Sequence, residues 1–428
     1  MRATATLLAI VAGLATVACS TNPVTGKSQL DLLGESQEIA LGAQLYPAYI
    51  QDSLGAIADE ELQGLVARTG EAVARVGHRP TLPYAFVAVN EPAVNAFALP
   101  GGKICITRGL LARLESEDGL AAVLGHEVGH VTARHAVAAY NRQVLATALL
   151  LGGAAVMEAR DVQGRELITL GAVVGAQLAL AHYSREQERQ SDRLGLEYSV
   201  AAGYSPLGLV ETHRVLLELQ KSQPGLLARL FASHPMSSER LATAEAAAEA
   251  LPADVRGREK RVEPYLRAVQ PLRAVRLAWD LAHEGRVLLT QGKKREGAEL
   301  LGRAAQQAPE EGVIRTLHAV ALQQIERPQV ARGEAMEGAR RAPGVFLTRL
   351  VAGSLWVAED ARASLEQLEA AERILPGVAQ VSYLRGRANE TLGRREAAAA
   401  AYREALARDP QGEVGKAAAA RLQAMGAG

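Results

Sequence analysis

Prolines 309, 343, 376 and 410 fall at intervals of 34, 33 and 34 residues. That period constrains the last third of the chain more than any other feature. A repeat of this length is one helix–turn–helix unit, too small to bury its own apolar face, so successive units must stack. The last unit shows the pattern most fully, with Gly386, Gly393, Ala398, Tyr402, Ala405 and Pro410 in sequence. Small residues let the two helices of a unit approach, Tyr402 fills the gap between them, and proline ends the second helix. Gly285, Gly292, Ala304 and Pro309 repeat the same offsets at the start of the array. The two middle units are degenerate, with Gly338 where alanine is usual. Scarce aromatics (4%) beside abundant alanine and leucine agree with a mostly helical chain.

At 428 residues the chain exceeds one ordinary domain. Its 47 Lys+Arg against 47 Asp+Glu give no net charge, which argues against a nucleic-acid binder. Arg2, an apolar run from Leu7 to Leu14 and small residues up to Cys19 read as a secretory signal over residues 1–18, too short to span a bilayer as a mature helix. Cys19, directly after Val17 and Ala18, resembles a bacterial lipoprotein processing site, although Thr16 stands where leucine is usual; ordinary cleavage near Ala18 is the alternative. Ser20 at the next position resembles sorting to the outer membrane. If Cys19 carries a lipid, Cys105 is left alone, and Ile104-Cys105-Ile106 reads as a buried strand.

Leu120, Val123, Leu124, Val128 and Val131 form an apolar stripe at helical spacing around His126-Glu127-Val128-Gly129-His130. Positions four apart share a helix face, so both imidazoles can reach one metal ion, zinc in sites of this pattern. Glu127 points about a quarter turn away, beside the metal rather than onto it, where it can take a proton from the attacking water. Nine histidines in 428 residues make an accidental HExxH motif rare. Such a site needs a third protein ligand. Glu188 and Asp192 share one face of a charged helical segment, so one could bind the metal while the other orients a ligating histidine. On spacing alone Glu186 is as good a ligand as Glu188.

HExxH followed by a helix carrying ExxxD resembles the gluzincin metallopeptidases of the CAAX prenyl protease and HtpX family. Residues 95–111, from Asn95 through Pro100-Gly101-Gly102 to Leu111, look like that family's strand and turn before the metal helix. Gly125 to His135 looks like the metal helix, Ser184 to Gly195 like the third-ligand helix, and Asn22-Pro23-Val24-Thr25-Gly26 like the start of its secreted bacterial members. The resemblance runs over roughly residues 20–250 and implies Glu188 as ligand, Asp192 behind it, and one Zn2+ per chain. The offsets of the C-terminal array resemble tetratricopeptide repeats, which some periplasmic members of the family carry. Those members act as proteases and chaperones for outer-membrane proteins. In them a histidine in a loop such as Phe231-Ala232-Ser233-His234-Pro235 can fill the metal's open position and hold the enzyme latent. Read from the residues alone, His234 is a capping or surface histidine, while His135, His182 and His213 lack a partner at ligand spacing and read as structural.

Tyr84 to Asn90 and Lys103 to Thr107 look like strands, the second an edge able to pair with extended peptide, as in gluzincins. Apolar stretches at 144–157 and 167–181 are each shorter than a bilayer span; they read as an interfacial hairpin or as a pair of buried helices. Together these features predict a mainly α chain with a small β-sheet, an α+β zincin-like domain over 19–252, a polar linker over 253–275 and a tetratricopeptide solenoid over 276–428. The expected function is that of a secreted zinc metalloendopeptidase acting on misfolded or misassembled envelope proteins. It would sit in the periplasm, on the outer membrane through Cys19, with the repeats offered to assembly machinery. The alternative is a latent or non-enzymatic envelope scaffold. No nucleic-acid partner is expected.

Overall fold

In the computed structural model, which describes residues 19–150 and 183–427, the chain divides into two units. One gathers Met1–Pro47, Asp59–Ala88 and Ala93–Gln270; the other gathers Ala48–Ala58, Val89–Pro92 and Pro271–Gly428. The signal at 1–18, the second half of the 144–157 stretch, all of 167–181, and His182 lie outside the described residues. Among the described residues no helix is long and apolar enough to cross a membrane.

The first unit begins with an antiparallel hairpin, β1 (Cys19–Thr21) and β2 (Ser28–Leu30), in the register Cys19↔Leu30. Asn22 holds the turn: its side chain accepts from the Val24 and Thr25 amides and donates to the Ala133 carbonyl. Helices α1 (Glu35–Asp52) and α2 (Glu60–Arg75) follow, then β3 (Ala85–Val89), β4 (Ala96–Leu99) and β5 (Lys103–Thr107). The sheet order is β3-β5-β4, so Lys103–Thr107 is the central strand and not the expected edge. One edge is β4, a four-residue strand inside the 95–111 segment read from sequence as a strand and turn. It pairs antiparallel with β5 from Ala96↔Ile106 to Leu99↔Lys103.

Helix α3 (Glu117–Thr132) is the axis of this unit. Ser116 caps it by accepting from the Gly119 amide at 3.1 Å, and Glu117 and Asp118 place negative charge at its positive end. Every residue from Asp118 to Thr132 is buried, so the helix is enclosed on all sides. After α4 (His135–Leu150) come α5 (Arg185–Ala201), α6 (Leu207–Ser222) and α7 (Ser238–Glu249). Ala122, Leu196, Leu209, Val210, Ala244 and Ala248 join α3, α5, α6 and α7 in one apolar cluster. The backbones of α3 and α5 touch at two glycines. A Cβ on Gly125 would lie 2.9 Å from the Gly195 carbonyl oxygen, and one on Gly195 would lie 2.8 Å from the His126 nitrogen. That approach sets Glu188, about two turns before Gly195, opposite the HExxH face.

The segment read as a linker is built into this unit as far as Gln270. The Arg261 amide donates to Asp118 Oδ2 at 2.6 Å, and Lys260 Nζ to Glu211 Oε2 at 2.8 Å. Residues Val262–Ala274 form α8, with Tyr265, Val269 and Leu272 buried at helical spacing. Pro264 does not break it because it sits in the first turn, where amides have no intrahelical acceptor to lose.

The second unit is four helix pairs and a closing helix. They are α9 (Arg276–Thr290) with α10 (Lys294–Gln307), α11 (Gly312–Gln324) with α12 (Pro328–Arg341), α13 (Phe346–Trp356) with α14 (Ala361–Ile374), α15 (Ala379–Thr391) with α16 (Arg395–Arg408), and α17 (Glu413–Ala424). The period is visible in hydrogen bonds: Arg315 Nε donates to the Pro309 carbonyl at 2.7 Å, and Arg349 Nε to the Pro343 carbonyl at 3.1 Å. Gly338 replaces alanine for a local reason, since a Cβ there would lie 2.2 Å from Thr316 Oγ1. Tyr402 is fully buried, its hydroxyl donating to Glu390 Oε2 at 2.7 Å. Leu54, from the Ala48–Ala58 segment, joins the core of this unit beside Trp279, Leu301 and Ile314.

Candidate metal centre

His126 and His130 project from α3, Glu188 from the second turn of α5, and His234 from the C-terminal end of the short helical turn Ala228–Ser233. Ligand atoms of these four buried residues all lie within 4.8 Å of one another. His126 Nε2 is 3.0 Å from His130 Nε2, 3.6 Å from Glu188 Oε2 and 3.3 Å from His234 Nδ1. Glu188 Oε1 is 3.3 Å from His130 Nε2 and 3.0 Å from His234 Nδ1. Donors at ~2.0–2.1 Å around a tetrahedral ion stand roughly 3.3–3.4 Å apart, so these separations match the edges of such a shell. Glu186, equal to Glu188 on spacing, is exposed.

The surroundings decide where the protons sit. His126 Nδ1 donates to Asp192 Oδ1 at 3.0 Å, which leaves Nε2 with its lone pair. His135 Nε2 donates to Gln190 Oε1 at 3.0 Å and its Nδ1 accepts from His130 Nδ1 at 3.0 Å, so His130 Nε2 also presents a lone pair. Burial brings His135 down to about 4, consistent with a neutral ring in that relay. Two imidazole lone pairs thus face each other at 3.0 Å inside the protein, an arrangement that a shared cation resolves. Burial opposes charge on His126, but its bond to Asp192 and the nearby carboxylates outweigh it and raise its pKa: the spot attracts positive charge. Burial holds His130 well below its ordinary value. Burial by itself would push Glu188 up, yet the surrounding imidazoles, His234 first, hold it well below the usual carboxylate range. The donor set suits zinc, with nitrogen and carboxylate ligands in a closed pocket.

Asp192 and Arg240 stand behind the ligands. Arg240 grips Asp192 with two bonds of 2.7 Å and donates to Glu188 Oε2 at 2.8 Å and to the Pro235 carbonyl at 2.9 Å. One guanidinium therefore bridges two buried carboxylates and ties them to the loop that carries His234. Sequence reasoning missed Arg240, because nothing in its neighbourhood distinguishes it from a surface arginine. His135 and His213, read as structural, both touch the partners of the ligands, His213 through Nε2 at 3.4 Å from Asp192 Oδ1. Glu127 is buried beside the cluster rather than in it, 3.9 Å from His234 Nε2 and hydrogen-bonded by the Ala98 amide of β4. Burial raises its pKa, partly offset by His234 and His126. Cys105 is buried on β5, and Cys19 lies in β1.

Comparison with known proteins agrees with this geometry. The chain is 27% identical over 248 residues to the β-barrel assembly-enhancing protease of Yersinia pestis, covering 57% of this chain and 48% of that protein. It is 32% identical over 196 residues to the mitochondrial metalloendopeptidase OMA1 of Arabidopsis thaliana, covering 45% and 38%. The match to the first of these thus spans about half of that relative's length. A solved tetratricopeptide-repeat protein with an unusual peptide-binding site is 18% identical, with a TM-score of 0.33, covering 49% of this chain and 99% of that one. Residues 60–248, which include α3, α5 and the His234 loop, match peptidase family M48.

Proposed function

We propose that the chain is a zinc-dependent metalloendopeptidase with its protease domain over residues 19–252 and a repeat domain over 276–428. The observation that carries this reading is the convergence of His126, His130 and Glu188 on one buried point with Glu127 beside it. A zinc ion held there would act as a Lewis acid toward a peptide carbonyl and acidify water. The protein's own groups supply the rest. Glu127 accepts the proton of the attacking water and returns it to the leaving amine, and its raised pKa is the direction a proton carrier working near neutrality needs. Asp192 and His135 fix the tautomers of His126 and His130. The edge strand β4, whose Ala96 lines the cavity at His126 and Glu127, pairs with an extended substrate through its main chain. Its Ala98 amide meanwhile orients Glu127.

A second observation favours a latent resting state. His234 Nδ1 lies among the ligand atoms, where an imidazole would take the place that water and substrate need. Removing it should raise proteolysis of an unfolded protein several-fold at unchanged zinc content. A rate at or below wild type with full zinc would assign His234 to substrate or oxyanion binding instead. By likeness to the β-barrel assembly-enhancing proteases, the clients are misassembled envelope proteins, met in the periplasm with the repeats as the partner surface. A lipid on Cys19 would hold the chain at the outer membrane; palmitate labelling that is lost in Cys19→Ala tests this. The activity itself is tested by chelation: the purified chain should contain one zinc, lose casein hydrolysis when stripped, and recover it on adding Zn2+.

A further inference from the structure

Beside the four-residue cluster lies a cavity with an apolar wall on one part of its lining and polar groups on the rest. Ala96 of β4, Val123 of α3, Leu209 and Leu216 of α6, and Leu230 line it, and it reaches His126 and Glu127. Asp192, Thr212, His234 and Arg240 also line it, each hydrogen-bonded within the protein, and His213 is the lining residue that keeps an unpartnered atom. His213 is 2% exposed, and its Nδ1 has no hydrogen-bond partner among the described residues. Its other nitrogen, Nε2, is engaged by Asp192 Oδ1 at 3.4 Å. A buried polar atom without a partner costs on the order of 1–3 kcal/mol, so a native structure that retains one calls for an explanation.

The Asp192 carboxylate already receives two bonds from Arg240 and one from His126. His213 meets that carboxylate through Nε2, which leaves Nδ1 as the ring nitrogen without a partner. A lone unsatisfied ring nitrogen on the lining of a cavity next to a hydrolytic site discriminates between side chains of the same shape. One that brings a hydroxyl satisfies the nitrogen; its hydrocarbon isostere buries it unpaired.

We propose that this cavity receives a substrate side chain next to the scissile bond and that His213 makes it select a hydroxylated side chain, threonine over valine or tyrosine over phenylalanine. The proposal rests on the endopeptidase reading and specifies its substrate. His213 is here a specificity-determining residue that takes no part in bond cleavage.

Two measurements on the full zinc-loaded chain test it. The first profiles cleavage sites in a peptide library containing the pairs Thr/Val and Tyr/Phe at equal abundance. At one position flanking the cut, the hydroxylated member of a pair should be favoured roughly three- to tenfold, the worth of one neutral hydrogen bond. In His213→Leu that ratio should fall to one or invert. Leu216→Phe, which narrows the cavity without touching the histidine, should disfavour the larger side chain at the same position.

The second measures binding of the matched peptides to a Glu127→Gln, His234→Ala chain, which needs no hydrolysis. The same preference should appear in Kd and disappear when His213→Leu is added. Hydrolysis with a Thr/Val and Tyr/Phe ratio of one at every flanking position, a ratio that survives His213→Leu, a preference for acidic side chains, or no peptide binding at all would each overturn the proposal. Selective binding by a chain that never hydrolyses peptide would leave the pocket standing and remove the endopeptidase reading.

Discussion

Helix α3 and the repeat array both bury helices, but they bury different chemistry. From Asp118 to Thr132 the metal helix encloses two histidines and a glutamate along with its leucines and valines. In the array the buried residues are apolar, with Tyr402 and Trp279 the largest, or uncharged like Thr316, Ser364 and Asn389, while ion pairs such as Arg385–Glu404 stay partly exposed. Burying ionisable groups is costly unless each is paired, and the His126, Glu127 and His130 side chains of α3 are paired by partners drawn from α5, β4 and α4. A chain keeps such an arrangement where it needs the chemistry. The array shows what the same helical fold looks like when packing alone is at stake.

If that contrast is right, substitutions in the two regions should separate metal binding from stability. The largest effect is expected for His130→Ala or Glu188→Ala: zinc should be nearly absent in the purified protein and hydrolysis lost with it, because a three-ligand site cannot spare one. Full zinc in Glu188→Ala would remove Glu188 from the ligand set. Arg240→Leu should come next. It leaves Glu188 and Asp192 as buried carboxylates without their cation, a loss of about 3–5 kcal/mol in denaturant unfolding, and it should weaken zinc roughly 10–100-fold.

Tyr402→Ala should destabilise the array by about 3–5 kcal/mol, as expected for a large buried aromatic, yet leave zinc content unchanged. A fall in zinc there would break the comparison. Gly195→Ala would sharpen it, since its Cβ would meet the His126 backbone at 2.8 Å. The strain is about 1–3 kcal/mol, and zinc affinity should drop with it although no ligand is altered. Smallest of all, Glu404→Gln should cost less than about 0.5 kcal/mol, because its pair with Arg385 is partly solvated.

How much of this could be read from the sequence follows the same division. The repeats were legible because their determinants are local: the prolines, the small residues and Tyr402 recur at fixed offsets, and each acts within its own helix pair. His126, Glu127 and His130 were legible because one helix sets their geometry. Between Glu186 and Glu188 spacing cannot choose, since which side of α5 meets α3 depends on the Gly125–Gly195 contact. Arg240, His135 and His213 act on residues 48, 5 and 21 positions away in sequence, distances that carry no periodic signal. Sheet order failed for a related reason. Lys103–Thr107 and Ala96–Leu99 are both short and apolar, and only tertiary packing decides which lies in the middle. In 253–275 the prolines masked a buried stripe of Tyr265, Val269 and Leu272.

The central claim is that Glu127 works beside a metal that it does not hold. Zinc content and casein hydrolysis measured on the same samples of wild type and Glu127→Gln test it most directly. The account predicts equal zinc in both proteins and hydrolysis in the wild type alone, with the loss several orders of magnitude deep. Hydrolysis at the wild-type rate in Glu127→Gln, or a variant that loses its zinc together with its activity, would contradict it.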